Sequence, residues 1–250
     1  MRLTVIGCSG SFPGPDSPSS CYLVEAEGFR LVLDLGNGSL GALQRHLALG
    51  DVDAVLLTHL HADHCLDLCS YYVARKWVPG GPLPPLPVYG PPGAADHMAR
   101  AYGLPPVPGM REIFDFRALV PGELVIGPFT VSVDRTAHPV ETFAVRLERD
   151  GRSIAYSADT GPCEGVPALA AGANLFLCEA SYVEGDETGP PIHLTGKQAG
   201  RCATRAGVDS LVLTHLVPWN DRGRTLREAS GAYTGPISLA RQGSVHDLIG

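Results

Sequence analysis

The sequence contains no run of about 20 apolar residues, the length an α-helix needs to cross a bilayer. Its first residues, MRLTVIGCSG, enter a strand-like run directly, without the apolar stretch of a secretory leader. The expectation is a cytoplasmic protein without a membrane anchor. Positive charge is also scarce: 19 Lys and Arg stand against 26 Asp and Glu, a net charge of −7. No basic stripe is present, so electrostatic capture of a long nucleic acid has no support, although a local positive pocket stays compatible with it. A disulfide framework is lacking too. The 7 cysteines (Cys8, Cys21, Cys65, Cys69, Cys163, Cys178 and Cys202) are odd in number and irregular in spacing. Several lie in apolar runs, where Cys packs as a small hydrophobe. Cys65 and Cys69 share one face of an expected helix. Core packing is the reading for them, with metal ligation as the alternative.

What is present is a globular chain. Hydrophobic residues are 44% and charged residues 18% of 250, enough for one α/β domain spanning residues 1–250. Strands are expected at residues 3–7, 21–25, 29–35, 53–58, 87–89, 125–126, 130–135, 142–148, 153–157, 175–178, 210–214 and 237–240, where short apolar runs end at turn residues. Helices are expected at residues 39–48, 64–77, 94–102, 166–171, 195–206 and 226–230. The stretch 78–109 is too rich in Pro and Gly for a continuous helix or central strand and reads as surface loops around one strand and one helix. Asp150-Gly151 between two strand runs predicts a tight hairpin. Leu57-Thr58-His59-Leu60 is echoed by Leu213-Thr214-His215-Leu216, each His just past a short buried strand. Ligands gather outside the carboxyl ends of such strands, so the echo predicts two halves, each delivering a His to one shared site.

The segment His59-Leu60-His61-Ala62-Asp63-His64 carries 3 of the chain's 9 His, and an Asp, directly after a buried strand. Imidazole and carboxylate suit Zn²⁺ and related divalent ions. His59 and His61, two apart, face one side of an extended loop. Asp63 and His64 follow the turn and are placed to face a second ion. This HxHxDH segment resembles the signature of the metallo-β-lactamase superfamily. The rest of that pattern is matched in order by His138 in Thr136-Ala137-His138-Pro139, by Asp159 in Ser157-Ala158-Asp159-Thr160 and by His215. The resemblance covers essentially the whole chain. It implies a four-layer αββα sandwich, with two mixed β-sheets flanked by helices. It implies that His59, His61 and His138 bind one metal, that Asp63, His64 and His215 bind another, and that Asp159 bridges both. Asp34 falls where the family has a buried acidic residue, which orients a ligand rather than binding metal; capping a turn is the alternative.

Two further segments resemble the ribonuclease Z-like phosphodiesterase branch: Glu179-Ala180-Ser181 and His193-Leu194-Thr195-Gly196-Lys197-Gln198-Ala199. By that resemblance His193 contacts the scissile phosphate and Glu179 holds His193. Thr195 and Gln198 form a capping-box pattern, which starts a helix just after His193 and favours anions there. Ribonuclease Z carries a long tRNA-gripping arm between its third His motif and its bridging Asp. Here that interval, His138 to Asp159, is filled by the hairpin around Asp150-Gly151. Val5-Ile6-Gly7-Cys8-Ser9-Gly10-Ser11 and the Thr214-His215-Leu216-Val217-Pro218-Trp219 end look most like the actinobacterial cyclic-nucleotide phosphodiesterases. These resemblances imply an enzyme holding two divalent ions, zinc first with Mn or Fe as alternatives. It would hydrolyse 3′,5′-cAMP to 5′-AMP by attack of a metal-bridged hydroxide. Asp63 orients the nucleophile or takes its proton, and His193, supported by Glu179, serves the leaving oxygen. A homodimer is implied as well. The alternatives are an RNA 3′-end endonuclease of ribonuclease Z type, a non-phosphate ester or lactone hydrolase, and a metal-free binding scaffold. Trp219 or Tyr182 is a candidate to stack on a base, with simple packing as the alternative.

Overall fold

Side chains alternate along the strands. In Phe29–Leu33, Leu31 and Leu33 enter one apolar cluster and Val32 another; in Leu175–Glu179, Leu175 and Leu177 split in the same way from Phe176 and Cys178. Strands buried on both faces need cover on both faces, and this dictates layers. The computed structural model, which describes residues 1–186 and 190–248, has two seven-stranded sheets. The first is built from β1 (Arg2–Gly7), β2 (Cys21–Ala26), β3 (Phe29–Leu33), β4 (Ala54–Leu56), β5 (Leu86–Gly90) and β6 (Phe114–Ala118). The second holds β7 (Gly122–Ile126), β8 (Phe129–Arg135), β9 (Phe143–Arg149), β10 (Arg152–Tyr156), β11 (Leu175–Glu179), β12 (Leu211–Thr214) and β13 (Ile237–Leu239). The last strand, β14 (Val245–Asp247), returns to the first sheet beside β1. Between the sheets lie Leu3, Tyr22 and Leu56 against Phe129, Val145 and Leu177. Outside the first sheet pack α1 (Ser39–Leu43), α2 (Ala62–Cys65), α3 (Asp67–Lys76) and α4 (Ala94–Tyr102). Outside the second pack α5 (Gly165–Leu169), α6 (Gly196–Ala206) and α7 (Arg222–Ser230). This is the four-layer αββα sandwich. Among the described residues, no helix is long and apolar enough to cross a membrane.

The sheets share one plan. In the order β14-β1-β2-β3-β4-β5-β6 and in the order β7-β8-β9-β10-β11-β12-β13, three antiparallel pairings are followed by three parallel ones. This plan revises the meaning of the internal echo. β4, which precedes His59, is fifth in its sheet, whereas β12, which precedes His215, is sixth. The echoed His residues both leave strand ends, but their strands are not counterparts.

Several elements differ from expectation for local reasons. The helix expected at residues 64–77 is broken at Leu66, because the Asp67 N–H donates to Leu35 O at 3.0 Å rather than continuing the helical ladder. Cys65 and Cys69 therefore sit on different helices, Cys65 in the core and Cys69 with its thiol toward Met98 O. The helix expected at 39–48 stops at Leu43, where Arg45 and His46 turn tightly with i−3 bonds. The edge strands β6 and β14 were not anticipated, since a strand with one neighbour carries a weaker apolar pattern. The hairpin forms as expected, with Asp150 (φ 50°) and Gly151 (φ 70°) both left-handed, as a type I′ turn requires. The capping box is complete: Thr195 Oγ1 accepts from Gln198 N at 3.2 Å, and Gln198 Oε1 accepts from Thr195 N at 2.8 Å.

Candidate metal centre

The parallel halves of both sheets point their carboxyl ends at one place. His59 follows β4, Asp159 follows β10, Glu179 ends β11 and His215 follows β12. His138 comes from the β8–β9 connection, and His193 stands before α6. Delivery at strand ends requires sharp turns. Asp34, Ala158 and His215 hold left-handed backbone (φ 57°, 50° and 53°), which non-glycine residues adopt at a cost of about 1–3 kcal/mol each. Close approach does the rest. A Cβ on Gly36 would stand 2.0 Å from Asp63 O, and one on Gly10 would stand 2.4 Å from His215 O.

Two sets of ligand-type atoms result, each within 4.8 Å of one another. The first comprises His59, His61, His138 and Asp159. His61 Nδ1 lies 3.1 Å from His59 Nε2 and 3.2 Å from His138 Nε2, and Asp159 Oδ2 lies 3.6 Å from His59 Nε2. The second comprises Asp63, His64, His215 and Asp159. Asp63 Oδ2 lies 3.0 Å from His215 Nε2 and 3.5 Å from His64 Nε2, and Asp159 Oδ1 lies 3.2 Å from His64 Nε2. Asp159 thus turns one oxygen to each set. The opposite ring nitrogen of four His is anchored by the protein. His59 Nδ1 meets Thr58 Oγ1 at 3.1 Å, His64 Nδ1 meets Asp34 Oδ2 at 2.8 Å, His138 Nδ1 meets Ile192 O at 3.2 Å, and His215 Nδ1 meets Ser181 Oγ at 2.6 Å. Such partners fix tautomer and ring orientation in metal sites. Asp34 has the orienting place expected for it. Its carboxylate also accepts from Thr58 N at 2.7 Å, Thr58 Oγ1 at 3.0 Å and Tyr156 OH at 3.0 Å. Ser181, Thr58 and Ile192 were not singled out as anchors from sequence. Only the place of Ser181 in the Glu179-Ala180-Ser181 segment hinted at one.

A third cluster joins Glu179, His193 and His215. His193 Nδ1 stands 3.0 Å from Glu179 Oε1, and its ring stacks on His215 with centroids 5.4 Å apart. Glu179 is fully buried and also accepts from Thr160 N at 2.6 Å, Ser181 Oγ at 2.9 Å and Leu194 N at 3.2 Å.

The signature of the Beta-lactamase superfamily domain matches residues 30–216. The chain belongs to that superfamily. It is 43% identical to an uncharacterized protein of Mycobacterium leprae, over 99% of this chain and 89% of that one. It is 34% identical to a ribonuclease Z of Mycolicibacterium gilvum, over 87% of this chain and 85% of that one. The crystal structure of the metallo-β-lactamase fold protein YhfI from Bacillus subtilis superposes with a TM-score of 0.88 at 29% identity, covering 98% of this chain and 99% of that chain. The protein is a metallo-hydrolase.

The residues of this metallo-hydrolase fit divalent ions. Ligands bound tetrahedrally at about 2.0–2.1 Å stand roughly 3.3 Å apart, close to the donor separations in both sets. His64 Nε2 and Asp159 Oδ1 are buried without a hydrogen-bond partner, although each faces a ligand-type atom of its set. Such orphaned atoms are costly unless something charged completes them. Burial, and then the charge of His64, holds His59 well below the ordinary imidazole value; burial likewise lowers His61 and His138, so all three favour the neutral, ligating form. Burial also disfavours a charged His64, but Asp159 and Asp34 outweigh it and hold a proton there, which a cation would displace. Burial alone would raise both carboxyls. Hydrogen bonds from His215 and His64 draw Asp63 down instead, and the charges of His215, His64 and His59 draw Asp159 down. His193 is pushed to about 9, because Glu179 overcomes the effect of burial.

Proposed function

We propose that this metallo-hydrolase is a dinuclear phosphodiesterase of small phosphodiesters that converts 3′,5′-cAMP to 5′-AMP, with zinc as its metal and manganese or iron as substitutes. The observation that carries this reading is His193, kept protonated by Glu179 and stacked on His215 at the edge of both metal sets. An ester and a phosphodiester both expel an alkoxide, but the phosphodiester is already anionic and ends as a dianionic phosphate, so it gains more from a second, protein-borne cation beside the metals.

In this reading His59, His61 and His138 hold one ion, Asp63, His64 and His215 hold the other, and Asp159 serves both. The pair supplies Lewis acidity toward the phosphoryl oxygens and an acidified water when bound. Asp63, held ionised by His215 and His64, is too weak a base to keep a proton and instead accepts a hydrogen bond that orients the nucleophile, whose remaining proton leaves with the phosphate product. His193 donates its outer N–H to the leaving 3′ oxygen as that bond breaks. Glu179 keeps the donor charged and in place through Nδ1. The helix α6 begins three residues after His193, and a helix start favours an anion nearby. We further propose a homodimer, on the strength of the resemblance, and a cytoplasmic location, from the sequence.

Pre-tRNA cleavage is the second reading, favoured by the 34% identity to a ribonuclease Z. Against it stands the interval from His138 to Asp159, where β9 and β10 are joined by the two-residue Asp150-Gly151 turn and leave no arm to grip RNA. The net charge of −7 offers no substitute platform. The deciding measurement is kcat/KM for cAMP and for a pre-tRNA with one metal-loaded preparation. Faster cutting of cAMP is expected; processing of pre-tRNA with cAMP left intact overturns the assignment.

A further inference from the structure

Four residues beyond His215, one large aromatic side chain stands largely in water. Trp219 is 75% exposed, although burying an indole is among the larger gains open to a fold. Its segment is not loose. His215 precedes it by four residues, and Asn220 donates from Nδ2 to Ser181 O at 2.7 Å, so both flanks of Trp219 are fastened to the site. Four residues span at most roughly 14 Å, which keeps the indole within a nucleotide's length of the phosphate position.

The adjoining segment is the loop after β1. It is zipped to the same segment by Leu216 N to Cys8 O at 2.9 Å and Gly10 N to Leu216 O at 3.2 Å. At its tip Ser11 has left-handed backbone (φ 63°) and its N–H lies 3.3 Å from His215 Nε2. The next residue, Phe12, meets the indole with centroids 4.8 Å apart and planes inclined at 36°. Two aromatic rings thus lean together on the rim, carried by two segments that both touch His215. Tyr182, the other aromatic near the centre, is engaged differently. Its ring stands edge-on to His193 at 5.3 Å, and its hydroxyl reaches Pro190 O.

We propose that Trp219, backed by Phe12, is the platform on which the heteroaromatic base of the substrate stacks, which makes it a specificity determinant of this site. The inference rests on the phosphodiesterase reading above. A base stacked on one aromatic ring is worth a factor of about 5 to 150 in affinity and tolerates different bases. The platform therefore selects nucleosidic over plain alkyl phosphodiesters without choosing sharply among nucleobases.

The experiment compares cAMP with a ribose 3′,5′-cyclic phosphate carrying hydrogen in place of the base. In the metal-loaded enzyme, Trp219→Ala is expected to raise KM for cAMP by about 5- to 150-fold with kcat changed far less, and to affect the base-free analogue much less. Trp219→Leu guards against a folding defect in the Ala variant. Only two Trp are present, so Trp77→Phe leaves Trp219 as the sole reporter, and its fluorescence should be quenched saturably by AMP. Equal KM values for cAMP in wild type and Trp219→Ala, with cAMP still cut, overturn the platform and leave the phosphodiesterase reading intact. No cleavage of either compound by wild type overturns that reading instead. In that case quenching by AMP still decides the platform, and its absence at millimolar AMP removes it.

Discussion

Ser181→Ala is the perturbation whose consequence the geometry defines most closely. The single Ser181 hydroxyl accepts from His215 Nδ1 at 2.6 Å and donates to Glu179 Oε2 at 2.9 Å. When His215 Nε2 binds a cation together with Asp63 and Asp159, the proton of the ring sits on Nδ1, and Ser181 is the group that keeps it there. The Ala variant leaves this N–H unpaired beside a ring that is only 1% exposed, which costs about 1–3 kcal/mol. Losing the partner behind a ligating His typically weakens metal binding 10- to 100-fold, or about 1.4–2.7 kcal/mol, which agrees with that cost. Glu179 keeps Thr160 N, Leu194 N and His193, so the third cluster should persist. The assay is competition of the protein against a chelating dye, resolving two Zn²⁺ affinities. The ion of the Asp63, His64 and His215 set should weaken 10- to 100-fold while the other shifts far less. Two affinities within a factor of two of wild type would refute the role given to Ser181.

Elemental analysis should find close to two transition ions per chain, and Asp159→Ala should lose at least one of them along with activity; an active protein without metal contradicts the whole site. His193→Ala should retain both ions and lower kcat by roughly 10²- to 10⁴-fold; loss of an ion in that variant makes His193 a ligand instead. Glu179→Gln should be more damaging to folding than an isosteric swap suggests, because one acceptor oxygen becomes an NH₂ group facing N–H donors on both sides; an unchanged Tm argues against the bonding described. Burial holds His246, in edge strand β14, below the ordinary imidazole value. The unfolded chain then binds more protons, so this residue leaves stability intact above pH about 6.5 and subtracts from it as the pH falls toward the folded value. The drop in Tm of the metal-loaded protein between pH 8 and pH 5.5 should shrink in His246→Gln, and an equal drop in both proteins refutes it.

Chemistry carried by side-chain identity was readable along the chain. The HxHxDH run, His138, Asp159, His215, Glu179 and His193 stand out because few arrangements other than a metal site need so many imidazoles and carboxylates at strand ends. Local backbone rules were readable as well: Asp150-Gly151 forms the hairpin and Thr195 with Gln198 forms the capping box because both devices involve only neighbours. What depends on distant partners was not. The helix after His64 breaks because Leu35, thirty-two residues earlier than Asp67, takes the N–H that would have continued it. Strands β6 and β14 exist because β5 and β1 offer them an edge. The likeness of Leu57-Thr58-His59-Leu60 to Leu213-Thr214-His215-Leu216 suggested symmetric halves, but sheet position is set by pairing, and the pairing places the two strands differently. Anchors behind the His rings, such as Ser181 and the Ile192 carbonyl, carry no sequence mark, since any hydroxyl or backbone oxygen serves when folding brings it within 3 Å or so. The same holds for Trp219 and Tyr182, equal candidates as letters: one is left open by its packing and the other is engaged by its neighbours. Composition and spacing thus determine which groups are available to this site, and long-range packing alone decides which atoms face each other and which are held still.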